Sequence, residues 1–199
     1  HKMLYKSFDF VSALAYPMMF GIAGVSMTLA PLYYSSKYAP VGPAMLIESI
    51  VILMIGWSNV IGTQYLLPVN RVKDFTTSVT IGAVVNIIMN FPLIHLWGLN
   101  GAMWSTVLSE ISVTAYQLFV VRKSLDIRKI FTGSWKYLLS GIVMFVPVFW
   151  LNTHMKASWL WMLVEVALGV VIYAGMVCLL RAPVLDQLKE LLAARRNKN

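Results

Sequence analysis

The chain reads as an all-α, polytopic membrane bundle of six transmembrane helices. Of its 199 residues 59% are hydrophobic and only 12% charged, and mean hydropathy is +0.73. Soluble domains average about a quarter charged. Apolar runs of about 20 residues, the length that crosses a bilayer core, recur along the sequence. They are continuous, which argues against the alternating strands of a membrane barrel.

Taken from the start, residues 1–9 form a short lead-in without the apolar core and cleavage site of a signal peptide. The chain opens at His1 and its first methionine is Met3, so it is expected to be a fragment with a truncated start. Spans are expected at 10–34, 43–67, 76–96, 101–121, 137–152 and 157–180. Four spans thus occupy 10–121. A basic loop at 122–136 separates them from two additional spans within 137–180, and a basic tail covers 181–199.

Charge sets the orientation. Lys2, Lys6, Arg71, Lys73, Arg122, Lys123, Arg128, Lys129, Lys136, Arg181, Lys189, Arg195, Arg196 and Lys198 all fall on one side of the expected spans. Only Lys37 and Lys156 fall on the other. The positive-inside rule makes the first side cytoplasmic and puts both fragment termini there. The net charge of +8 is explained by loops facing anionic headgroups, and nucleic-acid binding is not expected. In the tail, Val184, Leu185, Leu188, Leu191 and Leu192 recur at helical spacing, which suits a helix lying on the leaflet or a solvated end.

Polar side chains inside a span normally face other helices or a water-filled cavity. At 100° per residue, Glu48, Ile52, Asn59 and Thr63 share one face of the second span, and Gln64 falls on another. Gly82, Asn86 and Asn90 form one stripe of the third span, opposite Val84, Ile87, Ile88, Phe91 and Ile94. Pro92 is expected to interrupt that span's last turn. The fourth span divides three ways. Gly101, Ser105, Ser109 and Ser112 suit close helix approach. Thr106, Glu110, Thr114 and Gln117 form a polar stripe, and Trp104, Val107, Ile111 and Leu118 face lipid.

The candidate cavity residues are therefore Asn59, Thr63, Gln64, Asn86, Asn90, Thr106 and Glu110. Glu110 and Glu48 are the candidates for coupling to H+ or Na+. Each has a structural alternative: the amides can bond to neighbouring helices, Glu110 can be protonated and structural, and Glu48 can reach water at the span's outer end. Glu165, ringed by apolar residues, reads as structural. No catalytic residue, metal cluster or cofactor is expected. There is no Walker loop, GxSxG elbow or HExxH. The lone Cys178 and the twelve methionines sit at apolar positions.

Two stretches carry a family resemblance. GTQYLLPVNRVKDF, residues 62–75, precedes IGAVVNIIMNFPLIHLWGLNGAMWSTVLSE, residues 81–110. Together they resemble the C-terminal lobe of Wzx-type polysaccharide flippases of the MATE-like (MOP) transporter superfamily. Members typically show G-x-Q-x-L-x-P before a cytoplasmic turn, then N-x-x-x-N leading to G-x-x-G-A. The matching positions are Gly62, Gln64 and Pro68, then Asn86 and Asn90, then Gly98, Gly101 and Ala102.

The resemblance implies a non-enzymatic, multi-pass transporter of the bacterial cytoplasmic membrane. The six spans would be helices nine to fourteen of two six-helix lobes with an appended pair. Its implied cargo is an undecaprenyl-diphosphate-linked oligosaccharide repeat unit for capsule or O-antigen, flipped by alternating access alongside other polysaccharide assembly proteins. A diphosphate calls for Arg or Lys, and none lies within these spans. The rival readings are a cation-coupled multidrug antiporter of the same superfamily and a membrane-embedded glycan polymerase or acyltransferase. The last would need a large polar loop, and the loops here are short.

Overall fold

The computed structural model describes residues 2–196, with side chains over 3–190. His1, the side chain of Lys2, and the tail side chains Leu191, Leu192, Arg195, Arg196 and Lys198 therefore lie outside what it describes. The elements are α1 (Lys2–Tyr33), α2 (Val41–Ile61), α3 (Val72–Trp97), α4 (Leu99–Val121), α5 (Ile127–Phe131), α6 (Ser134–His154), α7 (Trp159–Leu179) and α8 (Val184–Arg196). A 3₁₀ turn follows α1 at Ser36–Tyr38, and a π-helical turn, Gly62–Leu66, extends α2.

Among the described residues there is no strand, and six helices have 21 residues or more. At 1.5 Å per residue even the shortest of these reaches about 31 Å, enough to cross the hydrocarbon core. By length and hydropathy five helices qualify as membrane spans: α1, α2 with its π turn, α3, the α5–α6 run and α7. The 23-residue α4 is long enough but too polar, because two of its three faces carry Ser, Thr, Glu and Gln. The chain is a multi-pass membrane helical bundle.

The helices pack in an order that differs from the chain order. α3 rests on α4, α4 on α2, α2 on α1, α1 on α6, and α6 on α7. α3 therefore lies at one end of the row, and its lipid-like face is bare: Phe91 is 79% exposed and Ile87, Ile88 and Val84 are also exposed.

Three boundaries differ from expectation, each for a packing reason. α1 starts at Lys2, well before position 10, because Leu4 and Phe8 are buried beneath the segment after α4. Phe8 stacks on Trp57 at 5.5 Å, and Phe131 meets both rings edge-on. The basic loop contains α5, capped by Asp126, whose carboxylate accepts from the backbone N–H of Arg128 and Lys129. Buried Leu125 and Ile130 anchor that loop to α1 and α2. α3 runs through Pro92 to Trp97 and stops at Gly98, whose φ of +54° reverses the chain.

α8 is tied down by its polar face. The Asp9 carboxylate accepts from the Tyr137 hydroxyl at 3.0 Å and from Gln187 Nε2 at 2.9 Å. The Tyr137 hydroxyl in turn accepts from the Val184 N–H. Lys6 and Glu190 form an ion pair further along.

Candidate functional site

The polar stripe of α4 opens into a groove because of how its neighbours sit. α2 and α3 both rest on α4 but meet each other chiefly at the π turn. A wedge between them is left open, with a volume of about 470 Å³. The π turn itself follows from Pro68. Proline has no N–H to offer, and its ring would clash with the carbonyl four residues back in a regular α-helix. The widened turn instead bonds the Leu67 N–H to the Gly62 carbonyl.

One wall of the groove is sealed by small residues. Ser109 Oγ donates to the Gly82 carbonyl at 2.7 Å, and Ser105 Oγ to the Asn86 carbonyl at 3.0 Å. A side chain at Gly101 would collide with the backbone of Leu93. Of the expected small-residue stripe, Ser112 alone turns aside, bonding the Leu108 carbonyl of its own helix.

Asn59, Asn86, Thr106 and Glu110 come together as groove lining, with Ser58, Ser109 and Gln117 as further polar members and Ile55, Phe75, Val79 and Val113 as apolar ones. Asn86 bridges the interface: Nδ2 donates to Ser105 Oγ at 3.4 Å, while Oδ1 accepts from Asn90 Nδ2 at 2.9 Å. Asn90 thus stands behind Asn86, outside the groove lining. Thr63 and Gln64 are exposed on the π turn, also outside it, with Thr63 Oγ1 bonded to the Asn59 carbonyl. Thr114 donates to the Met54 carbonyl at 3.1 Å and joins α4 to α2.

The second-span stripe divides between two sites. Glu48 and Ile52 line a separate, almost wholly apolar cleft of about 570 Å³ between α1 and α2. Glu48 Oε2 is buried there without a hydrogen-bond partner among the described residues.

Two features of the site were not among the candidate cavity residues. Gln117, in the C-terminal part of α4, lines the groove and is 1% exposed. Its Nε2 donates to Ser78 Oγ at 3.0 Å, and its Oε1 has no partner among the described residues. Gly62 is the second: a Cβ there would stand 2.8 Å from the Phe75 ring and 3.1 Å from Gln117 Nε2. Elsewhere, Glu165 is 3% exposed and accepts from Asn152 Nδ2 at 2.7 Å, and the same nitrogen donates to Thr28 Oγ1. That triad joins α1, α6 and α7. No group of three or more His, Cys, Asp or Glu that could hold a metal occurs among the described residues.

Fold and groove together define a multi-pass membrane bundle with a polar wedge among its helices. No protein-family model and no curated protein matches the chain. Among solved structures, the chain is similar to a lipid II flippase, MurJ, in an inward closed conformation. The TM-score is 0.76 at 18% identity, over 89% of this chain and 38% of that one. The likeness is one of fold, and the chain spans well under half the length of that neighbour.

Proposed function

We propose that the chain is part of a flippase that moves a polyprenyl-diphosphate-linked oligosaccharide across the bacterial cytoplasmic membrane by alternating access. The cargo would be a repeat unit for capsule or O-antigen, with both ends of this segment cytoplasmic. The observation that carries the reading is the groove itself: amide, hydroxyl and carboxyl groups facing one wedge in a bundle whose fold is similar to that of a lipid II flippase. Amides and hydroxyls offer donors and acceptors without fixed charge, which suits sugar hydroxyls. The reading is that of a transporter, with Glu110 as the candidate for H+ or Na+ coupling.

The test is export of surface polysaccharide by full-length protein carrying Asn86→Leu and Asn90→Leu. Export is expected to fall severely at normal membrane levels of the protein. Unchanged export would reduce both amides to helix packing. A second reading, a cation-coupled drug antiporter, is favoured by the carboxyl of Glu48 in its apolar cleft. It predicts drug efflux that is lost in Glu48→Gln, whereas the flippase reading predicts none.

A further inference from the structure

The hydrogen-bonding capacity of the groove is lopsided. Ser58 Oγ already donates to the Ile55 carbonyl, Thr106 Oγ1 to the Ala102 carbonyl and Ser109 Oγ to the Gly82 carbonyl. The Asn86 amide is engaged at both ends. Three groups remain: the Asn59 amide, the Glu110 carboxyl and Gln117 Oε1, none of which has a hydrogen-bond partner from a side chain among the described residues. Their open positions are mostly acceptors, with donors only on Asn59 Nδ2 and on Glu110 when protonated.

Gln117 is the most telling of the three. Leaving a buried amide oxygen unpaired is costly, yet this side chain is held in place by the bond from its own Nε2 to Ser78. Ser78 is in turn fixed by donating to the Phe75 carbonyl at 2.6 Å. Gln117 lines the groove, and its oxygen is buried there without a partner of its own among the described residues. Thr106, Glu110 and Gln117 lie along one side of α4, spanning about 16 Å at 1.5 Å per residue. A groove of about 470 Å³ is in the range of small-molecule sites and far larger than a bare ion needs.

Among the described residues no Lys or Arg lines it. Phosphate is recognised by cations and by multiple donors, so this surface is wrong for it on both counts, and an ionised Glu110 would add repulsion.

We propose that this groove takes the donor-rich glycan part of the cargo, with Gln117 Oε1 accepting from a ligand hydroxyl or amide N–H, and excludes the diphosphate. The inference rests on the flippase reading and adds the direction in which the cargo lies: sugar against α2–α4, phosphates against another surface of the full-length protein.

The experiment uses the full-length protein in phosphatidylcholine nanodiscs and two probes: a prenyl-linked N-acetylglucosamine disaccharide without phosphate, and prenyl diphosphate without sugar. Gln117→Met keeps the shape and removes the acceptor, whereas Gln117→Glu keeps it. The glycoside Kd is expected to rise at least tenfold in Gln117→Met and to stay within about threefold in Gln117→Glu. The prenyl diphosphate Kd should move in neither. A photo-crosslinking residue at Val79, on the groove wall, should capture the glycoside and not the diphosphate, which keeps the test open if Gln117→Met misfolds.

Glycoside binding indifferent to Gln117→Met, or diphosphate captured at Val79, overturns the inference and leaves the flippase reading standing. Failure of the wild-type protein to bind either probe overturns both.

Discussion

Ser109 and Gly82 form a close contact between α3 and α4: the serine hydroxyl donates to the glycine carbonyl at 2.7 Å, and a side chain at 82 would strike Val113. The groove has its shape because this contact holds one wall shut. Gly82→Ala should destabilise the protein by about 1–3 kcal/mol, the usual cost of overpacking. Thermal unfolding in detergent would show it as a lowered Tm, partly restored by adding Val113→Ala. Ser109→Ala should cost less, about 0.6 kcal/mol, the average for hydrogen bonds between membrane helices.

Asp9 ties three helices together, so Asp9→Ala should release α8. Two donors, the Tyr137 hydroxyl and Gln187 Nε2, lose their acceptor. Each lost bond is worth about 1 kcal/mol. Hydrogen exchange across 184–190 should accelerate while α2–α4 keep their protection. Unchanged exchange would mean that the remaining contacts, the apolar ones of Val184 and Leu185, the Val184 N–H bond to Tyr137 and the Lys6–Glu190 pair, suffice to hold the helix.

The triad of Thr28, Asn152 and Glu165 should behave as a structural clamp. Glu165→Gln keeps an acceptor for Asn152 Nδ2 and should leave Tm nearly unchanged. Glu165→Leu leaves one of the two Asn152 Nδ2 hydrogens without an acceptor and should cost about 1–3 kcal/mol. If Glu165→Gln abolishes transport with Tm unchanged, the carboxyl has a role beyond packing.

Orientation can be read by labelling. In a Cys178→Ala background, Ser36→Cys should react with an impermeant maleimide from outside intact cells. Ser124→Cys should react only after permeabilisation. Both positions are exposed in the structure. The reverse pattern would overturn the assignment of fourteen basic residues to the cytoplasm.

Much of the architecture was legible because lipid imposes strong rules. Long apolar runs must be helices, and Gly82, Ser105 and Ser109 announce a close interface by their size alone. The helical period also assigned the stripes of α3 and α4 to separate faces, and the α3–α4 contact follows them. What periodicity could not supply was the partner of each stripe. Glu48 and Asn59 share a face of α2 by angle, but α1 covers one end of that face and the wedge beside α4 opens at the other, so they line different cavities. Gln117 read as one more polar residue in a stripe. Its unpaired oxygen exists only because Ser78, thirty-nine residues away, takes its nitrogen.

From residue type and spacing alone came the membrane bundle, the number of long helices, the small-residue seam and the polar faces, since each depends on local geometry and the solvent. The packing order α3–α4–α2–α1–α6–α7, the burial of Leu4 and Phe8 under α5, and the wedge itself came from tertiary structure. These depend on contacts between segments far apart in the chain, where shape complementarity and not period selects the neighbour.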